Sequence, residues 1–182
     1  MPNQKNQEAE TFATQMELTG TLAQRAKEFI STTKHHLPGS NCKVVLVQPS
    51  DISVIWDEVV PLISDALKHA EGELLVEDLI LPLSDGHMNL WVAFDEGIVV
   101  AAMITEIIIY PRKKILRVIT IAGKDGHGMD KWYGFLPMVE GFALNNNCSS
   151  LEAWTRKGMA KKLKDWKHSY IVITKDLKQR MQ

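Results

Sequence analysis

The spacing of apolar residues changes several times along this 182-residue chain, and each change predicts an element. In residues 1–42, Phe12, Met16, Ala23, Ala26 and Ile30 recur at helical intervals among Gln, Thr, Glu and Asn. That stripe predicts an amphipathic helix over about Glu8–Thr33, closed by Pro38-Gly39-Ser40. A lone helix of this polarity is marginal in water, so its stripe is expected to dock on the core or on another protein. From Lys43 the rhythm shortens. Lys43–Gln48 (KVVLVQ) predicts a strand, and Pro49-Ser50-Asp51 a turn and helix start. Ile52–His69 follows as a helix with Ile55, Val59, Leu62, Ile63, Ala66 and Leu67 on its buried side. A shorter helical segment is expected over Glu73–Leu83, ending near Pro82.

Alternation then takes over. Asn89–Asp95 and Gly97–Tyr110 predict two strands joined by a tight turn at Glu96-Gly97, and Ile115–Ala122 returns after Pro111-Arg112-Lys113-Lys114. A helix is expected from Met129 to Asn145, a short strand at Leu151–Trp154, a helix at Met159–Trp166 and a last strand at Tyr170–Thr174. The order is strand, two helices, three strands, helix, strand, helix, strand. It predicts an α/β (α+β) domain over residues 43–182: a mixed, mostly antiparallel central sheet with helices on both faces, plus the N-terminal helical extension.

Composition narrows the function classes. With 45% hydrophobic and 24% charged residues and a net charge of −1, the chain reads as an ordinary globular protein with no overall field for nucleic acid or anionic membrane. The apolar run from Ile98 to Tyr110, broken at Thr105 and Glu106, is too short to span a bilayer, and the N-terminus has no apolar leader. A soluble protein made in a cytoplasm is the expectation. Cys42 and Cys148 have no metal-ligand spacing and are expected as thiols in a reducing compartment.

The strongest chemical signal is Arg117–Trp132, RVITIAGKDGHGMDKW. A β-branched strand runs into Gly123, Gly126 and Gly128 and then towards a helix. Such a loop lets backbone N–H groups converge on an anion beside the positive end of a helix dipole. The cradle is assigned to Gly123, Lys124, Gly126, His127 and Gly128. His127, between two glycines, is a candidate base near neutral pH, although polar loop residues of this kind more often have no such role. Glu106 is the nearest carboxylate within the strands. It is expected at an exposed edge, paired, or buried in a cleft. The histidines form no metal spacing. Arg156, Lys157, Lys161, Lys162, Lys164 and Lys167 make the densest basic run, read as a solvated helix face or a docking surface for an acidic partner. The five tryptophans read as core or interface anchors.

This element order, with its glycine loop between the fourth strand and the next helix, resembles the GCN5-related N-acetyltransferase (GNAT) fold over about Lys43–Leu177. A narrower resemblance lies in Ile121–Leu177: the glycine loop, Asp130 and Trp132 at the helix start, Cys148 before a short strand, LEAWTR, and the Arg156-Lys157-Gly158-Met159 turn. That string is similar to the GNAT-like internal virion and head-assembly proteins of short-tailed bacteriophages. In the family's enzymes a Gln/Arg-x-x-Gly-x-Gly/Ala loop holds the coenzyme A pyrophosphate. Gly126-His127-Gly128 matches its end, whereas Gly123 stands where Gln or Arg is expected and Lys124 is one residue out of register. The family's late-helix tyrosine acid aligns with Lys164 here.

The resemblance implies two readings. The favoured one is a non-catalytic structural or assembly protein of a phage particle, located in the virion, with no cofactor and no catalytic or metal-binding residue. It would contact other particle proteins through the N-terminal helix and the basic helix Lys157–Lys167, with room for a homo-oligomer. The alternative is an acetyl-CoA-dependent N-acetyltransferase acting on an unknown amine.

Overall fold

A computed structural model describes residues 42–70, 72–124, 134–155, 161, 163, 165–168, 173 and 175. Eight regular elements follow one another: β1 (Cys42–Val47), α1 (Ile52–Leu67), α2 (Ile80–Ser84), β2 (Met88–Asp95), β3 (Ile98–Tyr110), β4 (Lys113–Gly123), α3 (Leu136–Asn145) and β5 (Ser150–Ala153). The strands form one sheet in the order β1-β2-β3-β4-β5. The first four run antiparallel, and β5 lies parallel to β4 after the crossover through α3. This is the mixed, mostly antiparallel sheet expected from the sequence.

Both faces of the sheet are covered, which is why its central strands read as long apolar runs rather than clean alternations. On one face α1 buries Ile52, Ile55, Val59 and Ile63 against Val45, Val47, Leu90, Val92, Ala102 and Ile104, with Leu79 and Leu83 from the α2 region. On the other, Val139 and Ala143 of α3 pack with Val44, Trp91, Met103, Leu116 and Val118. Trp91 anchors this second core. Its ring meets Phe142 edge-on at 5.2 Å, and its Nε1–H donates to Thr105 Oγ1 at 3.0 Å. Thr105 is the buried polar residue among the described ones, and that bond satisfies it.

Turn chemistry fixes the hairpin as expected: Glu96 and Gly97 both have positive φ, 50° and 83°, as a two-residue hairpin turn requires. Pro61 sits inside α1 on its solvent side, where water can take over the carbonyl left without an N–H donor.

Several expectations are corrected. The helix expected over Glu73–Leu83 is a 3-10 turn at Val76–Asp78 followed by α2, which runs through Pro82 instead of ending there. Pro82 occupies the first turn, where its missing N–H would have had no partner inside the helix. Of the helix expected over Met129–Asn145, residues 129–133 lie outside the described ones, Gly134 and Phe135 form a turn, and α3 runs from Leu136, with Pro137 suited to its first turn, to the expected end at Asn145. Within Met159–Trp166 the described residues Lys161, Leu163, Asp165 and Trp166 are not helical, and within Tyr170–Thr174 the described Ile173 is not in a strand. A short apolar period with few residues per turn gives weak evidence for either element. The expected helix Glu8–Thr33 and the rest of residues 1–41 lie outside the described residues.

Candidate functional site

The site begins with a mismatch between the two sides of β4. Along β3, β4 is paired from Lys113 to Gly123. On its other side β5 pairs only with Ile115–Val118. Thereafter β5 ends at Ala153, and Ile119–Gly123 have no strand partner on that side among the described residues. The β3 register also jumps, from Ile104↔Thr120 to Thr105↔Val118, so Ile119 is an extra residue in β4. A bulge of this kind bends its strand and increases the local twist. Among the described residues the β4–β5 ladder therefore stops at the bulge. Beyond it the β4 backbone on that side has no strand partner among the described residues, a ladder that an extended ligand can complete.

This stretch runs on to the end of β4. Gly123 is its last residue, paired with Ala101, and Lys124 N–H donates to Val100 O at 2.9 Å. Both are exposed. α3 covers the Trp91 face of the sheet. Of the anion cradle expected from the sequence, Gly123 and Lys124 thus stand at the end of β4. Gly126, His127 and Gly128 lie outside the described residues, as do Lys157, Lys162 and Lys164 of the basic run. Lys161 and Lys167 are exposed.

On the opposite face, just before the ladder stops, three charged residues stand in register across three strands. Glu106 on β3 is the Cα partner of Arg117 on β4, which is the partner of Glu152 on β5. Directly paired side chains share a face, about 4.5–5.5 Å apart at Cβ. Arg117 Nε and Nη2 both donate to Glu152 Oε1 at 2.8 Å, and Nη2 also donates to Tyr110 Oη at 2.8 Å. Trp154 closes over the pair: its ring centroid lies 4.4 Å from the guanidinium carbon, and its Nε1–H donates to Glu152 Oε1 at 3.1 Å. Glu152 is thereby spent on holding Arg117 and Trp154. Glu106 is different: it is half-buried in the central strand, not at an edge, and has no hydrogen-bond or ion-pair partner among the described residues. A carboxylate held so can bind a cation or accept a proton. No cluster of metal-ligating groups occurs among the described residues.

No family model and no curated protein matches the chain. Solved structures do. An aminoglycoside acetyltransferase, meta-AAC0020, from an uncultured soil metagenomic sample, in complex with sisomicin, is 13% identical, covers 76% of this chain and 97% of its own, and superposes with a TM-score of 0.59. The fold is the GNAT acetyltransferase fold. Aminoglycoside N-acetyltransferase AAC(6')-Iy in complex with CoA is 13% identical over 76% of this chain and 96% of its own, TM-score 0.58. A ribosomal-protein-alanine N-acetyltransferase from Brucella melitensis biovar Abortus 2308 is 18% identical over 74% and 99%, TM-score 0.53. At these identities the likeness speaks for the GNAT fold alone. Nothing in the comparisons supports the phage-particle reading.

Sequence reasoning found the glycine loop and singled out Glu106. It missed Arg117, Glu152, Tyr110 and Trp154 as one cluster. The one available signal was the period of two in LEAW, which sets Glu152 and Trp154 on the same side of a strand.

Proposed function

We propose that the protein is an acetyl-CoA-dependent N-acetyltransferase. The observation that supports this reading is the end of the β4–β5 ladder at the Ile119 bulge, with exposed Gly123 and Lys124 at the end of β4 and, across the ladder from Arg117, the Glu106 carboxylate without a partner among the described residues. The residues fit the cofactor. The backbone of Ile119–Gly123, without a β5 partner among the described residues, suits an extended arm carrying amides, and Gly123 and Lys124, exposed at the end of β4, suit its phosphates. When bound, acetyl-CoA would supply an activated acetyl thioester.

The chain's own residues supply the rest. An aliphatic amine is protonated at neutral pH, with an ordinary pKa near 10.4 for a lysine-like group, and must lose a proton before it can attack. Glu106 is positioned to bind the ammonium and take that proton. Arg117, fixed by Glu152, Tyr110 and Trp154, holds the neighbouring row and keeps the β4–β5 junction closed up to Val118. A thiol's ordinary pKa of about 8.5 makes its sulfur a tolerable leaving group, so Lys164 in place of a tyrosine does not forbid transfer.

The test is calorimetric titration of the full chain with acetyl-CoA and CoA, followed by acetyl transfer to a panel of amines. Micromolar binding is expected, with Glu106→Gln keeping the binding and lowering turnover by about 10²–10⁴-fold. Absence of both binding and transfer would overturn the enzyme reading. It would favour a GNAT-fold particle protein without catalysis, the reading for which Gly123 at the Gln/Arg position speaks.

A further inference from the structure

One hairpin of the sheet outruns its neighbour. β2 pairs with β3 only as far as Met88, opposite Glu106, whereas β3 continues through Ile107, Ile108, Ile109 and Tyr110, paired with β4 alone among the described residues. The chain that enters β2 comes from the other side: a Cβ on Gly86 would stand 3.5 Å from Pro49, just past the end of β1. β3 and β4 therefore form a two-stranded arm, closed by Pro111 and Arg112, whose β3 edge has no strand beside it among the described residues. Ile109 is 76% exposed on this arm and Tyr110 37%.

The turn fixes which backbone groups this edge presents. Tyr110 and Lys113 close a two-residue turn, so Tyr110 exchanges its backbone hydrogen bonds with β4. Alternation along the strand turns Glu106 and Ile108 to β4 as well, and Ile107 and Ile109 away from it. Thr105 agrees with this phase: its C=O accepts from Asn89 Nδ2, on the β2 side, at 3.4 Å. Ile107 and Ile109 thus present two N–H and two C=O groups at the edge, with no hydrogen-bond partner among the described residues. Such an edge is a template for another strand.

We propose that this edge pairs with the same edge of a second copy, antiparallel about a twofold axis at Ile108. The register is self-complementary: Ile107 of each chain faces Ile109 of the other, which uses every group the two edges present. Ile107 packs on the α3 face of the sheet, so the two Ile107–Ile109 pairs cover the exposed Ile109 side chains there. Charge on the other face selects the partner. Glu152, Arg117 and Glu106 stand in one row across β5, β4 and β3, and the proposed register extends that row into Tyr110 of the second copy and then its Cα partner Lys113. Lys113 Nζ lies 5.2 Å from the Tyr110 ring centroid, so the ring carries an ammonium one strand beyond Glu106, the carboxylate without a partner among the described residues. Twofold symmetry makes this pairing twice. A carboxylate accepts at both oxygens, which leaves one for a substrate amine. The proposal draws on the edge and its charges, not on acetyl transfer. Two segments of the chain itself are poorer occupants: residues 1–41 carry helical rather than alternating apolar spacing, and Ile173, within the expected last strand, is 89% exposed and in no strand.

The contact is small, so association is expected to be weak, with dissociation in the micromolar range. Sedimentation velocity of the full chain over a concentration series should show monomer and dimer in exchange. Ile109→Pro removes an N–H that serves this edge and not β4, so the arm still forms while dimerisation weakens about tenfold or more. Ile109→Lys sets a charge at the same exposed position and carries the test should the proline variant not fold. Lys113→Glu, which turns the pairing with Glu106 into repulsion, weakens the dimer about two- to fivefold. Ile108→Cys reads the register. Position 108 faces itself across the axis at about 4.5 Å between Cα atoms, close enough for a disulfide under mild oxidation, whereas Ile109→Cys faces Ile107 and cross-links more slowly. Cys42 and Cys148 are buried and do not compete. A wild type that stays monomeric at the highest concentration overturns the proposal. So does a dimer unchanged by both Ile109 variants, or cross-linking of Ile108→Cys no faster than that of Ile109→Cys.

Discussion

Thr105→Val is the perturbation that reads out the link between the core and the site. Thr105 lies in the central strand at the register jump, next to Glu106, and its Oγ1 accepts the Trp91 Nε1–H at 3.0 Å with both residues buried, 0% and 2% exposed. Valine keeps the shape and the β-branch that suit a strand. What it removes is the acceptor, leaving an indole N–H unsatisfied in a dry core at a cost of about 1–3 kcal/mol. The added methyl returns part of this, at most about 0.8 kcal/mol for one buried carbon. The expected net loss is therefore about 1–2 kcal/mol. In a chain of 182 residues that corresponds to a melting temperature lower by roughly 2–8 °C. The assay is thermal and urea unfolding followed by tryptophan fluorescence, on Thr105→Val, Trp91→Phe and the double variant. Trp91→Phe removes the donor as well, so the double variant should be more stable than the sum of the single losses implies, by about 1 kcal/mol. A Thr105→Val protein as stable as the wild type, or strictly additive losses, would refute the claim that this bond holds the centre of the sheet.

Other outcomes follow from the same geometry. Gly97→Ala should destabilise the domain by about 1–2 kcal/mol in urea unfolding: a Cβ there meets nothing within 4 Å, so the whole cost is the backbone at φ +83°. Glu152→Ala should cost about 1.5–3 kcal/mol, since it strips the Arg117 side chain, 16% exposed, of its carboxylate, and added salt should change this little. Cys42 and Cys148 are 1% and 5% exposed, so a thiol reagent should modify the native protein only at the rate of unfolding and both sites at once in denaturant.

How much of this was legible in advance depended on distance along the chain. The strand–helix alternation, the buried stripe of α1 and the Glu96-Gly97 hairpin are local patterns, and they appear where periodicity and turn chemistry set them. The boundaries of α2 and α3 were misread because Pro82 and Pro137 were weighed as helix breakers or passed over, although proline in a first turn displaces no hydrogen bond. Strand β4 ends at Gly123, where a glycine loop was expected to begin, and Gly126, His127 and Gly128 lie outside the described part.

The sequence alone determined the strands β1–β5, the long helix α1 with the face it buries, and the Glu96-Gly97 hairpin turn. Those features depend on side chains within a few residues of one another. The site depended on the tertiary structure. Glu106, Arg117 and Glu152 form a row only because three strands settle into one register, with Arg117 and Glu152 35 residues apart in the chain. The β4–β5 ladder beside them ends where Ile119 bulges and β5 stops at Ala153. Strand register is fixed by the burial of both sheet faces and by hydrogen bonds to distant partners, and no local pattern carries that information.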